Sequence, residues 1–177
     1  PDSLIDAVDI DGDMVEIAHN IFGVPWAENI NIRVADAFCY IEQSLDHEVD
    51  TIFVDLFAGE EPVSEVYSQE FVTNCFDSLS SSGVLVFNIL AAKEQEFADF
   101  VAMVRNKFNK QTLCLNVPEH NNILIFAFKG TVVFPMQDEL AVMAQQLQDK
   151  LVLPFEEYMR DIIYYNKNNH IIKGIYR

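Results

Sequence analysis

A chain of 177 residues, half of them apolar and 14 of them Phe, is long enough to bury one substantial core and excludes a disordered polymer. Eleven Lys and Arg against 28 Asp and Glu leave a net charge of −17. That charge argues against nucleic acid and membrane as partners; such acidity ordinarily serves solubility, and it would also steer a cationic substrate inward.

In chain order, Leu4–Ile10 (LIDAVDI) reads as a strand ending in acids. Asp13–Phe22 follows as a helix with Met14, Ile17, Ala18, Ile21 and Phe22 on one face; the Asp13–Glu16 spacing marks its start, Gly23 and Pro25 its end. Asn29–Asp36 is a second strand and Ala37–Leu45 a short helix. Val49–Phe57 is a third strand, apolar almost throughout, as a strand covered on both faces should be. Beyond a loop with Gly59 and Pro62, a helix spans Ser68–Leu79, and Ser81-Ser82-Gly83 breaks it before a fourth strand, Gly83–Leu90. Phe97, Phe100, Val101, Val104 and Phe108 stripe the next helix. Thr112–Val117 and Ile123–Phe128 flank the turn-forming Pro118–Asn122 and make an antiparallel pair at the sheet edge. Two helices follow Pro135, one carrying Leu140, Met143, Ala144, Leu147 and Leu151, the other Phe155, Tyr158, Met159, Ile162 and Ile163. Asn166–Arg177 reads as a loosely held tail, and Tyr164-Tyr165 as a subunit contact suited to a homodimer.

Strands alternating with helices imply right-handed βαβ units, hence an α/β fold with a doubly wound, mostly parallel, Rossmann-like sheet and an antiparallel closing strand. Residues 1–135 form this sheet domain and 136–177 a helical appendage of it. Cys39, Cys75 and Cys114 lack C-x-x-C spacing, fall in apolar elements and read as small core residues in a reducing, cytoplasmic setting. His19 on the outward side of its helix, with His47, His120 and His170 in loops or tail, makes no metal-ligand pattern, so no metal is expected. Trp26 is more often a core-edge residue than a cover for an adenine ring. No apolar run reaches the ~18 residues of a membrane span, and the first residues are not a signal peptide.

Ligands of doubly wound sheets bind beyond the carboxyl ends of the strands. Three strands finish there on acids: Asp9, Asp36 and Asp55. Such positions suit, in turn, ribose hydroxyls, an adenine amino group and the reacting centre. A single acid of this kind is more often a helix cap or turn residue. Three in register point to function.

Val8–Ala18 (VDIDGDMVEIA), Ala35-Asp36-Ala37, Asp50–Asp55 (DTIFVD), Ser81–Asn88 (SSGVLVFN) and Tyr67–Phe71 (YSQEF) together resemble the spermidine synthase family, aminopropyltransferases on the class I methyltransferase fold. The resemblance implies that Asp9 and Ile10 hold the ribose, Asp36 and Ala37 the adenine, and that Asp55 positions or deprotonates an attacking amine. The implied cofactor is decarboxylated S-adenosylmethionine, or S-adenosylmethionine itself, used as a substrate. The family's D-S-S-D-P loop is replaced by Asp55-Leu56-Phe57-Ala58-Gly59, so Ala58 stands where a second acid binds the substrate amine. A diamine site without it loses charge-assisted bonds of ~1.5–3 kcal/mol each, which argues against putrescine. Glu60, Glu61 and Tyr67 are the remaining candidates for binding an amine or other small acceptor. The glycine-rich loop expected about 20 residues before the ribose acid is missing along with its strand, so a fragment of a longer protein is expected. An S-adenosylmethionine-dependent methyltransferase and a catalytically inactive interaction module are the alternatives.

Overall fold

The computed structural model describes residues 3–43, 48–59, 61–90, 94–118 and 120–173, with the backbone alone at Glu61, Pro62 and Lys173. The fold is α/β, and the chain divides into two compact units, Pro1–Asp46 and His47–Arg177.

In the first unit, β1 (Ile5–Asp9) pairs in parallel with β2 (Ile30–Val34), Ile5 opposite Ile30 and Asp9 opposite Val34. The crossover between them is α1 (Gly12–Asn20). Its cap is Asp11, whose carboxylate accepts the Asp13 N–H at 2.9 Å, and not the expected Asp13–Glu16 pair. Gly23 ends the helix at φ +70°, while Val24 N–H reaches back to the Ala18 carbonyl at 3.0 Å. The expected apolar face is only partly used. Ile17 and Ala18 are half-buried, but Ile21 and Phe22 are 73% and 77% exposed, because they fall past the last helical turn. α2 (Ala37–Glu42) is shorter than expected; Leu45 lies outside the described residues. Its Ile41 is the one fully buried apolar side chain among the described residues of this unit.

The second unit carries a four-stranded sheet in the order β3 (Val49–Val54), β6 (Leu79–Leu90), β8 (Asn122–Phe128), β7 (Thr112–Asn116). β3 and β6 run parallel; β8 is antiparallel to both β6 and β7, giving the expected reversed strand at the closing side. β3 stops at Val54. Phe57 instead enters a two-residue hairpin, β4 (Phe57–Ala58) against β5 (Glu61–Pro62), with Gly59 at φ +71° in its turn. A 3-10 turn, Ser64–Tyr67, leads to α3 (Gln69–Ser78), capped by the Ser68 hydroxyl accepting from Phe71 N–H.

The helix ends at Leu79 as expected, but the next strand starts there and not at Gly83, since Leu79 already pairs with Val49. The strand bends tightly there: a Cβ on Gly83 would lie 2.9 Å from Leu79 Cβ. Nor is β3 covered on both faces. Along the strand Thr51 and Phe53 share one face and are exposed, Phe53 at 76%, while Ile52 and Val54 on the other face are packed.

Alternation along β6 and β8 sorts the core into two layers. Leu85, Phe87, Ile89, Ile125 and Ala127 face α3 and α4 (Glu94–Lys107), where Phe87 meets Phe100 edge-on at 5.2 Å and Phe76 meets Phe108 at 5.0 Å. The other layer joins Leu113, Phe126 and Phe128 to α5 (Gln137–Leu151), α6 (Phe155–Tyr165) and α7 (His170–Lys173) through Leu140, Ile162, Ile171 and Ile172. The described part of the tail, residues 166–173, is therefore docked rather than loose. Asn166 bonds both the N–H and the carbonyl of Cys114, at 2.9 and 2.7 Å, and Asn169 donates to the Thr112 carbonyl. Ile172 is completely buried. α5 ends with Val152 in the left-handed region, φ 57°, ψ 37°.

Two cysteines are packed as expected and one is not: Cys75 is fully buried and Cys114 half-buried, whereas Cys39 is exposed on α2. No helix among the described residues is long and apolar enough to cross a membrane.

Candidate active site

Parallel pairing of β1 and β2 sets Asp9 and Asp36 at the carboxyl ends of adjacent strands in the first unit. Both carboxylates are held by local N–H groups. Asp9 Oδ1 accepts from Asp11 N–H at 2.8 Å, and Asp36 Oδ1 accepts from Phe38 and Cys39 N–H at 2.8 and 3.2 Å as the cap of α2. These local bonds are compatible with ligand binding, because a carboxylate has about four acceptor positions and the N–H groups engage a single oxygen of each. Ile10, beside Asp9, is 71% exposed, an apolar surface next to the acid; Ala37 opens α2 half-buried. The N-terminus of α2 also carries a partial positive charge.

Asp55 belongs to the second unit, immediately after β3, and is exposed. Val54 lies opposite Phe87 in the parallel register, so the next residue along falls beside Asn88. The Asn88 amide donates to Asp55 Oδ1 at 2.8 Å, and Asn88 Oδ1 accepts from the Asn122 amide at 2.8 Å. Composition alone does not mark this pair. Its signal was an Asn interrupting the otherwise apolar run Val84–Leu90.

Downstream of Asp55, the hairpin places Phe57 half-buried and Ala58 exposed where an acid was sought. Glu60 lies outside the described residues, and of Glu61 only the backbone pairing with Ala58 is described. Tyr67 packs edge-on against Phe100 at 4.9 Å; burial, and then the charge of Glu96, raise its phenol above the ordinary value.

Two expectations outside the acids change. His19 is not outward-facing: its ring stacks on Trp26 at 3.6 Å, with Nδ1 2.8 Å from the Val24 carbonyl. Trp26 is no core-edge residue either, being 84% exposed with one face on His19. An open groove between α3 and α4, lined by Val72, Thr73, Asp99, Met103 and Lys107, includes none of the strand-end acids.

Residues 3–132 match the spermine/spermidine synthase domain. A polyamine aminopropyltransferase of Neisseria meningitidis is 29% identical over 170 residues, covering 96% of this chain and 64% of that protein. One of Chromobacterium violaceum is 26% identical over 160 residues, covering 90% and 60%. The chain thus spans less than two thirds of the length of these relatives. Among solved structures, human methyltransferase-like protein 13 in complex with SAH superposes with a TM-score of 0.76 at 23% identity, over 87% of this chain and 73% of that one. A spermidine synthase in complex with the transition-state analogue AdoDATO superposes with a TM-score of 0.62 at 16% identity, over 97% and 61%. At these identities the structures establish the Rossmann-like methyltransferase fold. With the domain match running through both units, the chain belongs to the spermine/spermidine synthase domain family.

Proposed function

We propose that this chain forms part of an aminopropyltransferase that uses decarboxylated S-adenosylmethionine and an amine acceptor. The observation that carries the reading is Asp55: an exposed carboxylate at the carboxyl end of a parallel strand, with one oxygen fixed by Asn88. In the reaction, the neutral amine nitrogen attacks the carbon next to the sulfonium, the C–S bond breaks, and methylthioadenosine leaves as a neutral thioether. The Asp55 carboxylate steadies the positive charge that builds on nitrogen and accepts its proton. Asp9 with Ile10 takes the ribose, and Asp36 with Ala37 the adenine edge, each from a carboxylate with one oxygen already held by a local N–H.

The acceptor end is less charged than a diamine site needs. Leu56, Phe57 and Ala58 follow Asp55, which favours an amine with an apolar neighbourhood, met by Glu60, Glu61 and Tyr67. The charge of −17 supports attraction of such a cation, and the exposed pair Tyr164 and Tyr165 supports a homodimer.

The test supplies the protein produced from its own gene with decarboxylated S-adenosylmethionine and a panel of mono-, di- and polyamines. Methylthioadenosine should be released in step with a new C–N bond. Release from none of the amines, or methyl transfer from intact S-adenosylmethionine instead, would refute the reading.

A further inference from the structure

We propose that Asn122, acting through Asn88, fixes the direction in which Asp55 presents its carboxylate, making it a positioning residue for the proton-accepting step; this rests on the role proposed for Asp55. The inference comes from the sense of two hydrogen bonds. An Asn side chain is a donor at one end and an acceptor at the other, and its orientation is decided by the more demanding neighbour. Asn88 has two such neighbours. Asp55, when ionised, only accepts, and so requires the NH2 end. Asn122 presents its own NH2 to Asn88 Oδ1, and so requires the carbonyl end.

The two demands agree, and a flipped Asn88 would set oxygen against carboxylate and NH2 against NH2. The register supplies the geometry. Val54 opposite Phe87 brings Asp55 beside Asn88, and Leu90 opposite Asn122 in the antiparallel pair puts Asn122 on the same face as Asn88, one diagonal step away. Asn122 is itself steadied where β8 begins, its carbonyl accepting from Val117 N–H at 3.0 Å. One oxygen of Asp55 is thereby committed, and the other is aimed to receive the proton.

The experiment compares Asn122→Leu and Asn122→Asp, both of which remove the donor to Asn88, the first by shape and the second isosterically. Both should lower kcat roughly tenfold, the effect of one lost hydrogen bond to a polar partner, while KM for either substrate changes by less than about twofold. The 13C resonance of the Asp55 side-chain carboxyl should move in both variants, although neither substitution touches Asp55. Wild-type kcat in both, impairment in one alone, or an unmoved Asp55 resonance would each overturn the proposal. If the unmodified protein transfers no aminopropyl group, the functional reading fails separately, and the Asp55 resonance alone decides whether Asn122 orients it.

Discussion

Asn88 and Asp55 are joined by a 2.8 Å hydrogen bond that follows from strand register, since the residue after Val54 must lie beside the residue after Phe87. The carboxylate is thus oriented by a sheet residue before any ligand arrives. A group fixed in advance needs no reorganisation as charge develops, which is where such a carboxylate is most effective.

Asp55→Asn keeps the shape of the side chain and removes the proposed base. Aminopropyl transfer should fall by about 10²-fold or more, the usual contribution of a positioned general base. Stability should hardly change, because the position is exposed. Methylthioadenosine release and thermal unfolding on the same preparation check both halves.

The capping role of Asp36 can be separated from the ligand-binding role proposed for it. Asp36→Ala removes the acceptor for two N–H groups of α2 and should cost about 1 kcal/mol, whereas Asp36→Asn should cost little, Asn being an equally good cap. Urea unfolding midpoints of the two variants measure the difference.

Asn166→Ala removes three hydrogen bonds, two to Cys114 and one to the Ile162 carbonyl at 2.7 Å. Leaving polar groups of a largely buried site unpaired should destabilise the second unit by about 2 kcal/mol or more. Hydrogen exchange at Cys114 N–H should accelerate in step with the fall in the unfolding midpoint.

Burial pushes the Cys75 thiol up to about 12, from an ordinary value of 9.0. It therefore stays protonated through the neutral range, and thiol reagents at pH 8 should label exposed Cys39 quickly and Cys75 only in denaturant. The folded state disfavours the thiolate, so this burial contributes stability below about pH 9, and the contribution is lost as pH rises from there towards 12. Labelling followed by peptide mass analysis, and unfolding midpoints from pH 8 to 11, are the measurements.

Val152 is a β-branched residue in the left-handed region with its side chain 88% exposed. Val152→Gly relieves this strain without loss of packing and should stabilise by about 1 kcal/mol. The thermal midpoint should rise.

Periodicity was enough to find the elements whose partners are close in sequence or whose apolar face is wide. The β6–β8 core and the stripe Phe100–Val104–Phe108 fall in this class. Carboxyl-end positions for Asp9 and Asp36 also follow from element order alone. Contacts that depend on distant residues were not legible. Asn-rich residues 166–169 look like a loop, yet their side chains bond backbone more than 50 residues away, at Thr112 and Cys114. Leu79 and the serines after it have poor strand propensity, and pairing with Val49 overrides it. Phe53 lies in a stretch apolar enough for a buried strand, but no local pattern says whether a neighbour will be there to cover it. Asn88 gave the opposite cue, a polar residue within an apolar strand, which is the residue-level sign of a partner on an adjacent strand.

The docked tail has a further consequence for assembly. By meeting the outward N–H and carbonyl of Cys114 and the carbonyl of Thr112, Asn166 and Asn169 stand in for an adjoining strand along β7. That flank of the four-stranded sheet cannot template another chain, and the α6–α7 segment works as a built-in terminator.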